Sequence, residues 1–250
     1  MNTRVEHGPR NEKTGIARTR EKLREKLAGE PDFILDNEYC GEGTFPVDDE
    51  PCVKMVAHTR FPTRYGEFIL YGFFDSRNSK EHTAIVKGDV SGAVDCPVRV
   101  HSQCHTGDVW GSLRCDCRDQ LEASIRYISE QSTGAVVYLK QEGRGIGLLN
   151  KIKAYQLQDL GLDTVEANEF LGFPAEARDY SAAARIIEQL KIKSVALLTN
   201  NPEKMTGLRE HGIEVTRRIP VETNWNEHNN FYMETKREKM GHLFSCDGSS

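Results

Sequence analysis

The chain has 250 residues, 33 of them basic and 38 acidic, giving a formal net charge of −5; 38% are hydrophobic and the mean hydropathy is −0.58. That length suits one large or two small globular domains with a real core. No stretch approaches the roughly 18 apolar residues of a membrane helix, and the acidic balance argues against general nucleic-acid binding while leaving room for a local phosphate pocket.

The first 30 residues mix charges densely, with Leu23 and Leu27 as their only large apolar pair at helical spacing. They predict a charged tail, taken to residue 35, with a surface helix over Thr19–Ala28; they lack the apolar core of a secretory signal. From about Pro62 the pattern turns strand-like, with strands expected at Glu67–Phe74, Thr83–Val86 and Pro97–His101. Asp119–Gln131 carries Leu121, Ile125 and Ile128 at helical spacing. Ala135–Leu139 and Val195–Thr199 are apolar runs suited to buried strands. Leu148–Leu160 and Tyr180–Leu190 read as helices, and Asn201-Pro202 opens another. Strand and helix alternate through the latter half, which predicts an α/β fold with mixed sheets and flanking helices.

The seven cysteines, Cys40, Cys52, Cys96, Cys104, Cys115, Cys117 and Cys246, form an odd set without a repeating framework. That points to a reducing cytoplasm, where thiols stay free or bind metal. Cys104, Cys115 and Cys117 suit zinc with an open fourth position, where a metal-activated water serves hydrolysis. Spacing alone leaves buried structural cysteines equally open, and His105 could close the site as a fourth ligand. The run Gln141-Glu-Gly-Arg-Gly-Ile-Gly147 lies between a strand and a helix, where glycines and free N–H groups receive an anion. A tight structural turn is the plainer alternative. Glu176 and Arg178, two apart in a loop, could handle a proton and a phosphate, or simply lead into the helix at Tyr180. Thr199 and Lys204 could hold a phosphate where a strand meets a helix, with Asn capping as the alternative. Tyr155 shares a helical face with Leu148 and Ile152 and by periodicity is a core tyrosine.

The stretches VRVHSQCHTGDVWGSLRCDC, QEGRGIGLLNKIKAY, DTVEAN, LGF, LLTNNPEK and KMGHL, in this order, resemble the GTP cyclohydrolase II family over roughly residues 97–245. The resemblance implies a homodimer that converts GTP, with zinc and magnesium, to a diaminopyrimidinone ribosylamino phosphate, formate and pyrophosphate for riboflavin synthesis. It implies Cys104, Cys115 and Cys117 as zinc ligands. It implies a GTP pocket of Arg99, Val100, His101, Ser102, Gln103, Gln120, Glu142, Gly143, Arg144, Thr164, Thr199 and Lys204. Tyr155 would assist hydrolysis at the imidazole carbon. Arg178 would act on the α-phosphate as nucleophile or as electrostatic clamp, and Glu176 would be the proton acceptor. The family commonly has aspartate at that last position, and an apolar residue where His105 follows the first cysteine.

On this reading, residues 36–245 form the catalytic domain and 246–250 a short tail, with no room for the dihydroxybutanone-phosphate synthase domain of fused relatives. The expected partners are GTP and a second copy, with neither nucleic acid nor membrane. Two alternatives stand beside it: a paralogue that opens the ring but keeps the formyl group, and a non-catalytic nucleotide-binding protein with a structural zinc.

Overall fold

The computed structural model describes residue 22, 53–174, 178–223 and 225–243. Lys22 is helical; the rest of the expected Thr19–Ala28 helix, the charged tail and residues 246–250 lie outside the described residues. The chain divides into Met1–Gly43 and Thr44–Ser250, and every described strand, with all the described helices after Lys22, belongs to the second unit.

Three antiparallel strands come first: β1 (Val53–Thr63), β2 (Gly66–Asp75) and β3 (Lys80–Lys87). Pro62 belongs to β1 rather than opening the strand region. It is tolerated because β1 is the sheet edge, where a missing N–H breaks no ladder. Then come β4 (Cys96–Ser102), a single π turn (His105–Val109), α1 (Cys117–Ser129), β5 (Gly134–Leu139), a short turn (Glu142–Gly145) and α2 (Leu148–Asp159). The remainder is α3 (Thr164–Phe170), α4 (Ser181–Gln189), β6 (Ser194–Leu198), α5 (Pro202–Glu210), β7 (Glu214–Ile219) and α6 (Asn230–Glu238).

The seven strands among the described residues form one mixed sheet in the order β1-β2-β3-β5-β4-β6-β7. The pairs from β5 through β4 and β6 to β7 are parallel. The buried apolar runs are buried on both faces, as their composition predicts. Ala135, Val137 and Leu139 of β5 pack with Ala183, Ile186 and Ile187 of α4 on one side. Val136 of β5, with Ala196 and Leu198 of β6, packs with Ile128 of α1 on the other.

The connection from β4 leads to β5 on one side of it, while β6 lies on its other side. The chain therefore reverses direction of travel at β4, and the loops that leave the carboxyl ends of β4, β5 and β6 diverge around one crevice. In open α/β sheets this is where ligands bind.

Candidate active site and metal centre

Three of the sequence motifs occupy those loops. The cysteine motif follows β4, the glycine loop follows β5, and Thr199-Asn200-Asn201 follows β6. Together with α2, α3 and the segment through α6 to His242 they line one cavity.

The metal centre begins at Cys104, immediately after β4. The π turn brings the chain back under it, and Cys115 and Cys117 arrive at the start of α1. The three sulfurs lie within 4.8 Å of one another, with Cys104 Sγ to Cys115 Sγ at 3.7 Å. Thiolates about 2.3 Å from a shared tetrahedral zinc sit about 3.8 Å apart, so the trio fits that ion. Gly107 makes this possible, because a Cβ there would meet Cys115 Sγ at 2.9 Å and Cys104 Sγ at 3.1 Å. Among the described residues the potential metal-holding group is these three cysteines. His105 is not part of it; its ring meets Trp110 edge-on at 5.9 Å.

Asp108, within the π turn, fixes the loop. Its carboxylate accepts from the Cys104 N–H (2.9 Å) and from Tyr138 Oη (2.7 Å), and lies 3.1 Å from His101 Nε2. Burial, followed by the Asp108 hydrogen bond that opposes it, sets His101, whose pKa is lowered on balance. Hydrogen bonds with the neighbouring Cys115 and Cys117, then the Lys151 ammonium, hold the Cys104 thiol well below its ordinary value.

Behind the metal loop runs a buried polar chain. Arg99 Nη1 donates to the Leu198 carbonyl at 2.9 Å and Nη2 to Gln120 Oε1 at 2.5 Å; Gln120 in turn donates to Asp116 at 2.5 Å. Asp116 separates two of the cysteines and is paired with Lys236 of α6. Burial pushes the Arg99 guanidinium down to about 10, against the pull of Asp116.

The glycine loop holds Gly143 and Arg144 both in the left-handed region, at φ 62° and 60°. This backbone suits glycine and is strained for arginine. It turns Arg144 into the cavity, where Nη1 is buried without a hydrogen-bond partner among the described residues. Ser102 Oγ and Asn201 Nδ2 are also buried and unpartnered there. Buried polar groups of this kind are ordinarily satisfied, so a ligand is the natural partner.

Thr164 and Pro202 are the first residues of α3 and α5. Asp163 and Glu166 form a capping box at the first, and Asn201 caps the second by accepting from the Glu203 N–H at 2.9 Å. Asn capping is therefore realised at Asn201, and the phosphate reading at Thr199 and Lys204 stands beside it. Lys204 Nζ donates to the Val100 carbonyl at 2.8 Å, which aims it into the crevice.

The cavity gathers Arg99, His101, Ser102, Gln103, Gln120, Gly143, Arg144, Tyr155, Thr164, Arg178, Thr199 and Lys204 with the three cysteines. Two implied pocket residues do not line it. Val100 offers only its carbonyl to Lys204 while its side chain is in the core. Glu142 is buried beside the metal loop, accepting from the His105 N–H at 2.6 Å and from Lys151 at 2.8 Å. Glu176 lies outside the described residues.

The core expectation for Tyr155 is corrected. Ile152, on the same face of α2, is 44% exposed, and the helix buries Ala154 instead. Tyr155 faces the cavity, its Oη 3.2 Å from Thr106 Oγ1, and burial raises its pKa to about 12.

Sequence reasoning missed Asp108, Asp116, Lys151, Asn168, Tyr232, Lys236 and His242. Their segments, TGD, CDC, NKIKAY, EAN, the helix α6 that carries Tyr232 and Lys236, and KMGHL after it, carried no chemical pattern to separate them from structural residues. Burial leads a group of nearby cations, Lys236, Arg178, Lys204 and Arg144, in pushing His242 down to about 2.

Comparison with known proteins shows the family. The profile described as GTP cyclohydrolase II matches residues 54–220. A protein from Picrophilus torridus called GTP cyclohydrolase-2 is 54% identical over 192 residues, which is 77% of this chain and 100% of that one. One of the same description from Saccharophagus degradans is 53% identical over 77% of this chain and 96% of its own. A riboflavin biosynthesis protein RibBA from Chlorobium phaeovibrioides is 51% identical over 79% of this chain but 48% of its own, so the present chain spans about half of that longer relative. The chain belongs to the GTP cyclohydrolase II family.

Proposed function

We propose that this chain is a zinc-dependent hydrolase that opens the imidazole ring of GTP and releases formate and pyrophosphate. The product is 2,5-diamino-6-(5-phosphoribosylamino)pyrimidin-4(3H)-one, and the pathway served is riboflavin biosynthesis, in keeping with the relatives' names. One observation carries the reading: three clustered thiols sit in the wall of a cavity that Arg144, Arg178 and Lys204 also line. Such a site pairs hydrolytic chemistry with a polyphosphate.

Cys104, Cys115 and Cys117 would hold zinc, which when bound supplies Lewis acidity and an activated water for carbon–nitrogen hydrolysis. The chain's own residues bind, orient and move protons. The triphosphate enters as its magnesium complex, between Arg144, Arg178, Lys204 and the N-termini of α3 and α5. Arg99, His101, Ser102, Gln103 and Gln120 line the side where the base lies. One water adds at C8 as the C8–N9 bond breaks, leaving a formamide, and a second releases formate from N7. Tyr155, whose Oη lies beside Thr106 at the metal loop, would hand a proton to the nitrogen that leaves that carbon. A third water accounts for cleavage between the α- and β-phosphates, with Glu176 as proton acceptor and Arg178 neutralising charge on the α-phosphate. A guanidinium pKa above about 12 favours this clamp role over a covalent one.

The second copy is supported by exposed apolar side chains on the metal loop and on and beside α2 and α3, among them Trp110, Leu149, Leu160 and Phe170. A cytoplasmic setting is supported by the free state of Cys96, Cys104, Cys115 and Cys117. No described helix is long and apolar enough to cross a membrane.

The test is incubation of the zinc-loaded protein with GTP and magnesium, following formate, pyrophosphate and the pyrimidine. Formate and pyrophosphate together are expected. Pyrophosphate alone would favour the formyl-retaining paralogue, which Tyr155 at the cavity argues against. GTP binding without turnover would favour a non-catalytic protein.

A further inference from the structure

Glu142 does not line the cavity, and the reason is its partner. Lys151, in the first turn of α2, places Nζ 2.8 Å from Glu142 Oε1 and 3.0 Å from Cys104 Sγ. The other oxygen of Glu142 accepts from the His105 N–H at 2.6 Å, the peptide that directly follows Cys104. A closed ring results: Cys104 sulfur, Lys151 ammonium, Glu142 carboxylate, and back to the backbone next to Cys104. Both charged side chains are largely buried, Lys151 at 12% and Glu142 at 9% exposure.

The backbone is shaped for this contact. A Cβ on Gly143 would meet Lys151 Cβ at 3.2 Å and Ile146 Cγ1 at 3.1 Å, so the glycine loop and α2 approach as closely as they do only with glycine there. Burying a carboxylate–ammonium pair is costly unless its geometry is good and its remaining hydrogen bonds are made. Here the remaining partners are the Cys104 sulfur, the adjoining His105 peptide and the Gly143 N–H, which donates to Glu142 Oε1 at 3.2 Å.

We propose that Lys151 is a positioning residue for the metal centre: it donates to the Cys104 sulfur, sets that ligand's orientation and weakens its electron donation, while Glu142 locks the ammonium in place. This rests on the zinc reading above and assigns Glu142 to the metal's support instead of to nucleotide contact. Three thiolates around a divalent ion leave one net negative charge in a buried site, and a charge-assisted hydrogen bond to one sulfur offsets part of it. The metal is thereby kept electron-poor, as a Lewis acid requires.

The experiment uses the full chain, stripped of metal and titrated with Co2+, and separately with Zn2+ against a chromophoric chelator. In Lys151→Met the sulfur-to-cobalt charge-transfer band is expected at longer wavelength, because a thiolate without its hydrogen bond gives up electrons more easily. Zinc affinity is expected to fall by roughly 10–100-fold, the usual cost of losing an outer-sphere partner. Lys151→Arg should restore both, a rescue that a purely space-filling role does not predict. Lys151→Gln, which keeps a polar head for Glu142, is read in its place should Lys151→Met not fold. An unmoved band with unchanged affinity in the folded variant overturns the proposal. A wild-type chain that takes up neither ion would instead sink the zinc reading itself.

Discussion

Lys236 Nζ lies 2.6 Å from Asp116 Oδ1, and Asp116 is the residue between two of the three clustered cysteines. The pair is buried, at 8% and 0% side-chain exposure, and joins α6, near the end of the described chain, to the start of α1. Gln120 and Thr223 also donate to Asp116, so the carboxylate is held from three directions. Helix α6 thereby contributes to the cavity wall and braces the metal loop with one contact.

Removing one partner of a buried pair leaves the other charge uncompensated. Lys236→Met is expected to lower unfolding stability by about 3–5 kcal/mol, measured by urea denaturation, and to reduce zinc retained per chain. Asp116→Asn combined with Lys236→Met should cost less than the two single changes summed, because they act on one interaction. Strict additivity would mean that the two residues do not act as a pair.

Gly107 tests the packing of the metal loop. An added Cβ would come within 2.9 Å of Cys115 Sγ. Gly107→Ala is expected to weaken zinc binding by roughly tenfold or more while the far-ultraviolet circular dichroism of the chain stays the same. Normal affinity would show that the loop can shift without cost.

Tyr155→Phe removes the hydroxyl that faces Thr106. Loss of a positioned proton donor costs about 10²–10⁴-fold, and the loss is expected in formate release, with pyrophosphate release less affected. Quantifying both products in the same reaction decides the matter; an equal fall in both would assign Tyr155 to binding.

Part of the pH dependence of stability follows from His242. Burial, then Lys236, Arg178, Lys204 and Arg144, hold its pKa near 2 in the folded chain, against 6.5 normally. As pH falls from 6.5 toward 2, the unfolded chain takes up a proton that the folded chain refuses, so stability is lost across that window. The ligand-free His242→Asn variant should therefore lose less stability than the wild type between about pH 7 and pH 5. Melting temperatures at the two pH values report this; identical acid sensitivity would discard the assignment.

Local signals were sufficient wherever one segment decides its own structure. Strand β2 and helices α1 and α4 follow from periodicity and β5 from its unbroken apolar run, whereas α2 was legible as a helix but buries Ala154 and not the face its apolar spacing marks. Helix α3 carried a readable Asp163-x-x-Glu166 capping box but is only seven residues long, too short for a periodicity to register. Strand β1 was hidden by its exposed edge position, which relaxes the apolar pattern and admits Pro62. The candidate site was legible through the resemblance its motifs carry together, since spacing alone left structural cysteines and a tight turn open.

By itself, the sequence determined the α/β alternation, the three candidate metal ligands, the glycine loop and the family. Only the tertiary structure decided which groups support others. Tyr155 leaves the core face because α2 packs through Ala154; Glu142 turns toward Lys151 and away from the cavity; Asp116 finds Lys236 across 120 positions of sequence. Side-chain direction and long-range pairing depend on how the elements pack together, and no single segment encodes them.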